Sequence, residues 1–99
     1  MTPDPHAYLR DAVLESVLQA SGESDPAVRR AAADGADVPE DLQPLVDKIH
    51  RHAHRVTDDD VARLQPRYGD DRLFEIIVSA ALGASRSRLQ AGLRALEDA

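Results

Sequence analysis

The sequence predicts an all-α fold, and three observations carry that prediction. Apolar residues recur at helical rather than strand spacing. Helix-opening signatures repeat along the chain, at Asp4-Pro5, at Asp25-Pro26 and at Thr57 with Asp60. Only Tyr8, Tyr68 and Phe74 are aromatic among 99 residues, so the core has to be assembled from Ala, Leu and Val. No segment alternates with period two over a strand's length, and no Asn-Gly or Asp-Gly pair lies between β-branched runs. A chain of this length forms one domain. The expectation is a compact helical bundle of about five helices with a long C-terminal helix, acidic N-terminal helices over residues 1–36 and a helical core over 37–99.

Each element has a local cause. Asp4-Pro5 pairs an N-cap with proline at the first helical position, where its missing N–H costs nothing. Leu9, Val13, Leu14, Val17 and Leu18 then form one apolar stripe, which Ser21-Gly22 closes. The same cap at Asp25-Pro26 opens a short Ala-rich helix that Gly35 stops. With little more than Ala27, Val28 and three alanines to bury, that helix has to lie close against a neighbour or act as a connector.

A third helix follows Val38-Pro39, with Leu42, Leu45, Val46, Ile49 and Ala53 on one face and Asp41 as its N-cap, which places Pro44 within the first turn. Thr57 and Asp60 make a capping box with Asp in place of Glu, opening a short helix through Val61 and Leu64 that Pro66 limits. Gly69-Asp70 introduces the most apolar segment, Leu73 to Leu82, which continues through Gly83 towards Leu89, Leu93 and Leu96. A helical glycine costs roughly 1 kcal/mol relative to Ala, too little to force a break, so one continuous helix with local bending is expected.

Composition excludes several functions. Twelve basic residues face 18 acidic ones, a formal charge of −6, which argues against nucleic acid as a partner because phosphate binding rests on Lys and Arg. The whole surplus lies in the first half: residues 1–49 hold 10 acids and 4 bases, residues 50–99 hold 8 of each. There is no cysteine, which removes disulfides, thiolate metal sites and thiol chemistry together. No signal-like N-terminal run and no 18-residue apolar stretch occurs, so no membrane association is expected and the expected location is cytoplasmic.

The stretch Val56-Thr57-Asp58-Asp59-Asp60-Val61-Ala62-Arg63-Leu64, followed by Tyr68-Gly69-Asp70-Asp71-Arg72-Leu73-Phe74-Glu75-Ile76-Ile77-Val78-Ser79-Ala80-Ala81-Leu82-Gly83-Ala84, resembles the helical hairpin of the carboxymuconolactone decarboxylase and alkylhydroperoxidase D-like superfamily. The resemblance spans roughly residues 42–96. It implies an all-helical fold and homo-oligomers. Redox-active members of that family carry Cys-x-x-Cys and a His just before the hairpin, whereas His50 to Asp60 here holds no cysteine. Peroxide reduction through a thiolate is therefore excluded. The decarboxylase branch needs no thiol couple, but no family active-site residue maps onto this chain.

The residues themselves offer two candidate sites. Glu75, set among Leu73, Phe74, Ile76 and Ile77, reads as a partly buried general acid or base, or else as the partner of Arg72 at i−3. With Tyr68 as a phenolic donor and His54, it makes a candidate catalytic set of Glu75, Tyr68 and His54. His50 and His54 are i, i+4 neighbours, and Asp47 and Asp58 extend them into a stripe able to ligate a divalent metal such as Zn²⁺, provided one helix persists to Asp58. Thr57 as a cap argues against that continuity, leaving a solvated helix end. Apart from such a metal no cofactor is expected.

Three functions follow as expectations. The leading one is an oligomeric, non-peroxidase binding or interaction module, since Leu73 to Leu82 is apolar around much of its circumference. The second is a cofactor-independent decarboxylase or proton-transfer enzyme using Glu75, Tyr68 and one of His50 or His54. The third is a metal-binding regulator built on the histidine run.

Overall fold

A computed structural model describes residues 12, 15, 16, 18 and 22–98. Among the described residues the regular elements are all helical and no strand occurs. The cap at Asp4-Pro5 and most of the apolar stripe that follows lie outside the described residues. Residues 12, 15, 16 and 18 of that stretch are helical.

Helix α1 runs Pro26–Asp34. Asp25 caps it from an extended backbone, its carboxylate accepting the Ala27 N–H at 2.9 Å, and Pro26 takes the first helical position. Gly35 ends it in the left-handed conformation, φ 78°, with its N–H donated to the Ala31 and Ala32 carbonyls.

Helix α2 runs Gln43–His52 and buries Leu45, Val46 and Ile49. Its N-cap is Leu42 rather than Asp41, so Pro44 falls one position nearer the start than expected. The displacement has a cause in tertiary structure. Asp41 accepts the Tyr68 hydroxyl at 2.7 Å and pairs with Arg67 at 3.1 Å, and a carboxylate so engaged is not available to cap. A 3₁₀ turn, Ala53–Arg55, follows α2 and leaves Ala53 exposed rather than on the buried face.

Helix α3 runs Asp58–Ala62 behind the expected capping box. Thr57 accepts the Asp60 N–H at 3.3 Å, and Asp60 accepts the Thr57 N–H at 2.9 Å. Asp60 does more than cap: it is 7% exposed and also receives Lys48 from α2, at 2.8 and 2.9 Å, and Arg63 at 3.1 Å. One carboxylate thus joins α2 to α3. Lys48 first, and then the Thr57 N–H and hydroxyl, hold it well below the ordinary carboxylate range.

Helix α4 spans Gln65–Asp98 with a single non-helical position, Gly69, at φ 78° and ψ 167°. A first turn carrying Pro66 precedes the break. The long run, residues 70–98, measures about 43 Å at 1.5 Å per residue. It passes through Gly83 with helical dihedrals, and the glycine is there for packing: a Cβ at Gly83 would overlap the Ala33 carbonyl of α1. The Ala-rich α1 therefore does lie close against a neighbour, with Ala32 and Ala33 buried beside α4.

One cluster of buried residues, Ala32, Val38, Leu42, Leu45, Val46, Ile49, Leu73, Ile76 and Ala80, joins α1, α2 and α4. It draws on both sides of the boundary at residue 36. Beyond Ala84 no residue of α4 is fully buried. There Arg88 reaches back to donate to the His50 carbonyl at 2.9 Å and the Ile49 carbonyl at 3.4 Å, satisfying acceptors that the end of α2 leaves open. Among the described residues no helix is long and apolar enough to cross a membrane.

Candidate functional site

Glu75 lies on α4 facing the strap that enters α1. Its carboxylate accepts the Glu23 N–H at 2.9 Å, the Ser24 N–H at 2.8 Å and the Ser24 hydroxyl at 2.7 Å. Gly22 makes the approach feasible, since a Cβ there would overlap the Glu75 carboxylate. Beneath lies Arg29, 2% exposed, whose guanidinium donates to the Leu18 carbonyl at 3.1 and 3.3 Å and to the Ser24 carbonyl at 3.0 Å, 3.9 Å from the Glu75 carboxylate. The Ser24 hydroxyl, ahead of the backbone N–H groups and Arg29, holds Glu75 below the ordinary carboxylate range. These partners replace the pairing with Arg72 expected from the i−3 spacing. An ionised carboxylate with its acceptor sites filled by its own chain is a tether.

Tyr68 donates its hydroxyl to Asp41, and burial together with that bond raises its pKa above the ordinary value. It lines a cavity of about 310 Å³ with Glu23, Ser24, Asp25, Val28, Arg72 and Ile76. Neither Glu75 nor His54 lines that cavity. His54 sits exposed on the 3₁₀ turn, its ring edge-on to His52 at 6.2 Å. The three residues of the catalytic set thus occupy separate environments: a tether, a cavity wall and an exposed turn.

The metal set is divided in the same way. His50 contacts the Ala32 carbonyl through Nε2 at 2.8 Å and packs under Gly35. Asp47 accepts from Gln43 at 2.8 Å. His54 belongs to the 3₁₀ turn and Asp58 opens α3, because the helix that would have carried all four ends at His52. Among the described residues no group of three or more His, Asp or Glu side chains is placed to hold a metal ion.

On the outward face of α4 large apolar side chains stand exposed at Phe74, Leu89 and Leu96, while Val78, Leu82 and Leu93 on the same side are half-buried. Leu73, Ile76, Ala80 and Ala84 point into the core. On the far side Phe74, Val78, Leu82, Leu89, Leu93 and Leu96 recur at steps of four, four, seven, four and three, a second apolar stripe along the same helix. Phe74 is 68% exposed, Leu89 39% and Leu96 74%. Leu82 is half-buried, packed beside Leu18 and Ala33.

Arg29 escapes sequence reasoning because an arginine in an Ala-rich helix reads as solvated, and the loop carbonyls that fix it are not a residue-type signal. The outward stripe was legible as excess apolarity, but which side of α4 it occupies follows from the packing of Gly83 on Ala33. Comparisons with protein families, with curated proteins and with solved structures found no match to this chain.

Proposed function

We propose that this protein is a small cytoplasmic, non-peroxidase interaction module that forms homo-oligomers and acts through the outward face of α4 rather than through a catalytic cavity. The observation that carries the reading is the second apolar stripe, with Phe74 and Leu96 exposed to 68% and 74% on one helix. Large apolar side chains scattered singly over a surface need no explanation, whereas aligned ones mark a contact surface. The fate of the polar candidates supports the same reading: Glu75 and Tyr68 are taken up by Ser24 and Asp41, and their roles are in holding the fold. The pattern over residues 56–84 supports placing the chain beside the carboxymuconolactone decarboxylase-like hairpins as a cysteine-free, divergent relative.

Light scattering across the micromolar range tests the reading. The expected mass exceeds the 10.8 kDa of one chain and returns to that value in the double variant Leu89→Glu/Leu96→Glu with helicity unchanged. A wild-type mass of 10.8 kDa at every concentration overturns it.

A further inference from the structure

Four of the five glycines answer to their own chain: Gly35 and Gly69 adopt φ 78°, Gly83 makes room for the Ala33 carbonyl, and Gly22 for the Glu75 carboxylate. Gly92 does not. It lies inside α4, and a Cβ there would meet no heavy atom of the described residues within 4 Å. Alanine would suit the helix better at such a position. Gly92 also falls on the outward stripe, about 60° around the helix from Leu89 and about 40° from Leu96 at 100° per residue. On an apolar face a missing side chain lets another backbone come close, as Gly83 does for Ala33.

We infer that residues 85–98 of α4 pack against the same residues of a second copy, antiparallel, about a twofold axis beside Gly92. This rests on the interaction-module reading and supplies its partner and geometry. Orientation follows from charge. Arg86 and Glu97 are eleven residues apart, about 20° from alignment after three turns, and so share one flank of the stripe. In an antiparallel pair that flank faces itself. An axis between Ala91 and Gly92 then sets Arg86 opposite the partner's Glu97 twice over, while Leu89 comes within one residue, about 1.5 Å along the axis, of the partner's Leu93. A parallel pair instead turns that flank towards the partner's opposite flank, where Arg86 has no Glu97 to meet. Arg86 is half-buried and also interacts within its own chain; a guanidinium's five donors accommodate both. The contact is isologous and closes at two chains.

Sedimentation equilibrium of the full chain tests this. Gly92→Leu favours the isolated helix yet fills the space the second backbone requires, so the dimer dissociation constant is expected to rise about tenfold or more. Glu97→Arg, at the exposed helix end, raises it by about threefold, and adding Arg86→Glu restores it. If the double reversal disturbs the fold, the cysteine-free background offers a second measurement. Under mild oxidation Gly92→Cys links two chains, and Leu96→Cys does not, because antiparallel packing sets the two Leu96 positions about 13 Å apart along the axis. A wild-type dimer indifferent to Gly92→Leu and Glu97→Arg, or one linked equally well through both cysteines, overturns the antiparallel contact and leaves the interaction reading standing. A monomeric wild type overturns both.

Discussion

The Ala33 carbonyl rests against the Cα of Gly83, in the space where a Cβ would stand. Two backbones meet there, so neither side can yield by changing a rotamer. This contact brings the Ala-rich α1 onto α4 and thereby decides which side of α4 faces inward. Gly83→Ala is expected to destabilise the protein by about 2 kcal/mol or more, because overpacking outweighs the roughly 1 kcal/mol gained in helix propensity. Gly92→Ala, with no heavy atom of the described residues within 4 Å of the added Cβ, is expected to have the opposite sign, a gain of up to about 1 kcal/mol. Urea unfolding of both variants at low protein concentration, where association does not contribute, checks the pair. Equal effects would remove the packing explanation for Gly83.

Glu75 ties residues 23 and 24 to a helix more than 50 positions along the chain. Its pKa is lower in the folded protein than the ordinary 4.5, so the folded state binds the proton less readily than the unfolded chain does. The resulting stability is fully present above the ordinary value and is lost as the pH falls through the folded one. Glu75→Gln is expected to cost about 2 kcal/mol at neutral pH, in the range for hydrogen bonds to a charged group. It should also flatten the acid limb of the stability profile below the ordinary value. Urea midpoints at neutral and acid pH for both chains check this. A variant profile parallel to the wild type would mean that the carboxylate charge contributes nothing.

What the sequence reveals here depends on how far apart the cooperating groups are. The Thr57–Asp60 box, the Asp25-Pro26 cap and the stop at Gly35 each lie within a few residues, and residue type alone specifies their geometry. Asp41 has the residue type of a cap and does not act as one, because its partners, Tyr68 and Arg67, come from another helix. Glu75 looked like an acid set in apolar surroundings because Ser24 is 51 positions away. For the histidine run, spacing fixed which rings share a face only if the helix continued. It ends at His52, and Thr57, whose capping role could be read locally, is the residue that already argued for the change of direction.

Tyr68 provides a test of whether the cavity it lines has a chemical role. Tyr68→Phe removes the hydroxyl donated to Asp41 and leaves the ring in place beside Ile76 and Val28. Asp41 retains Arg67 at 3.1 Å, so the expected loss is about 1 kcal/mol, that of one partly exposed hydrogen bond. Self-association should be unchanged, because Tyr68 precedes the break at Gly69 and does not belong to the outward stripe. Thermal unfolding and light scattering on the same sample measure both effects. Loss of association in a chain that still folds would place the contact surface near the start of α4 instead.

The junction at Asp60 allows its charge to be separated from its shape. Thr57→Ala removes the acceptor for the Asp60 N–H and is expected to cost about 1 kcal/mol, the usual effect of losing an N-cap. Asp60→Asn keeps an oxygen that can accept the Thr57 N–H, yet it deprives Lys48 and Arg63 of their common carboxylate. If Asp60 serves only as a cap, the asparagine variant should be the milder of the two. If it joins α2 to α3, that variant should be the more damaging. The structure leads us to expect the second result, because the carboxylate is 7% exposed and receives Lys48 through both oxygens. Its lowered pKa adds a directional check: stability supplied by the charge is present above the ordinary value of 3.8 and is lost as the pH falls through the folded value. The difference between wild type and Asp60→Asn should therefore shrink on acidification, whereas the difference between wild type and Thr57→Ala should change less. Chemical unfolding of the three chains over an acid series measures both trends, and a gap between wild type and Asp60→Asn that persists at the lowest pH would show that shape, rather than charge, makes the joint.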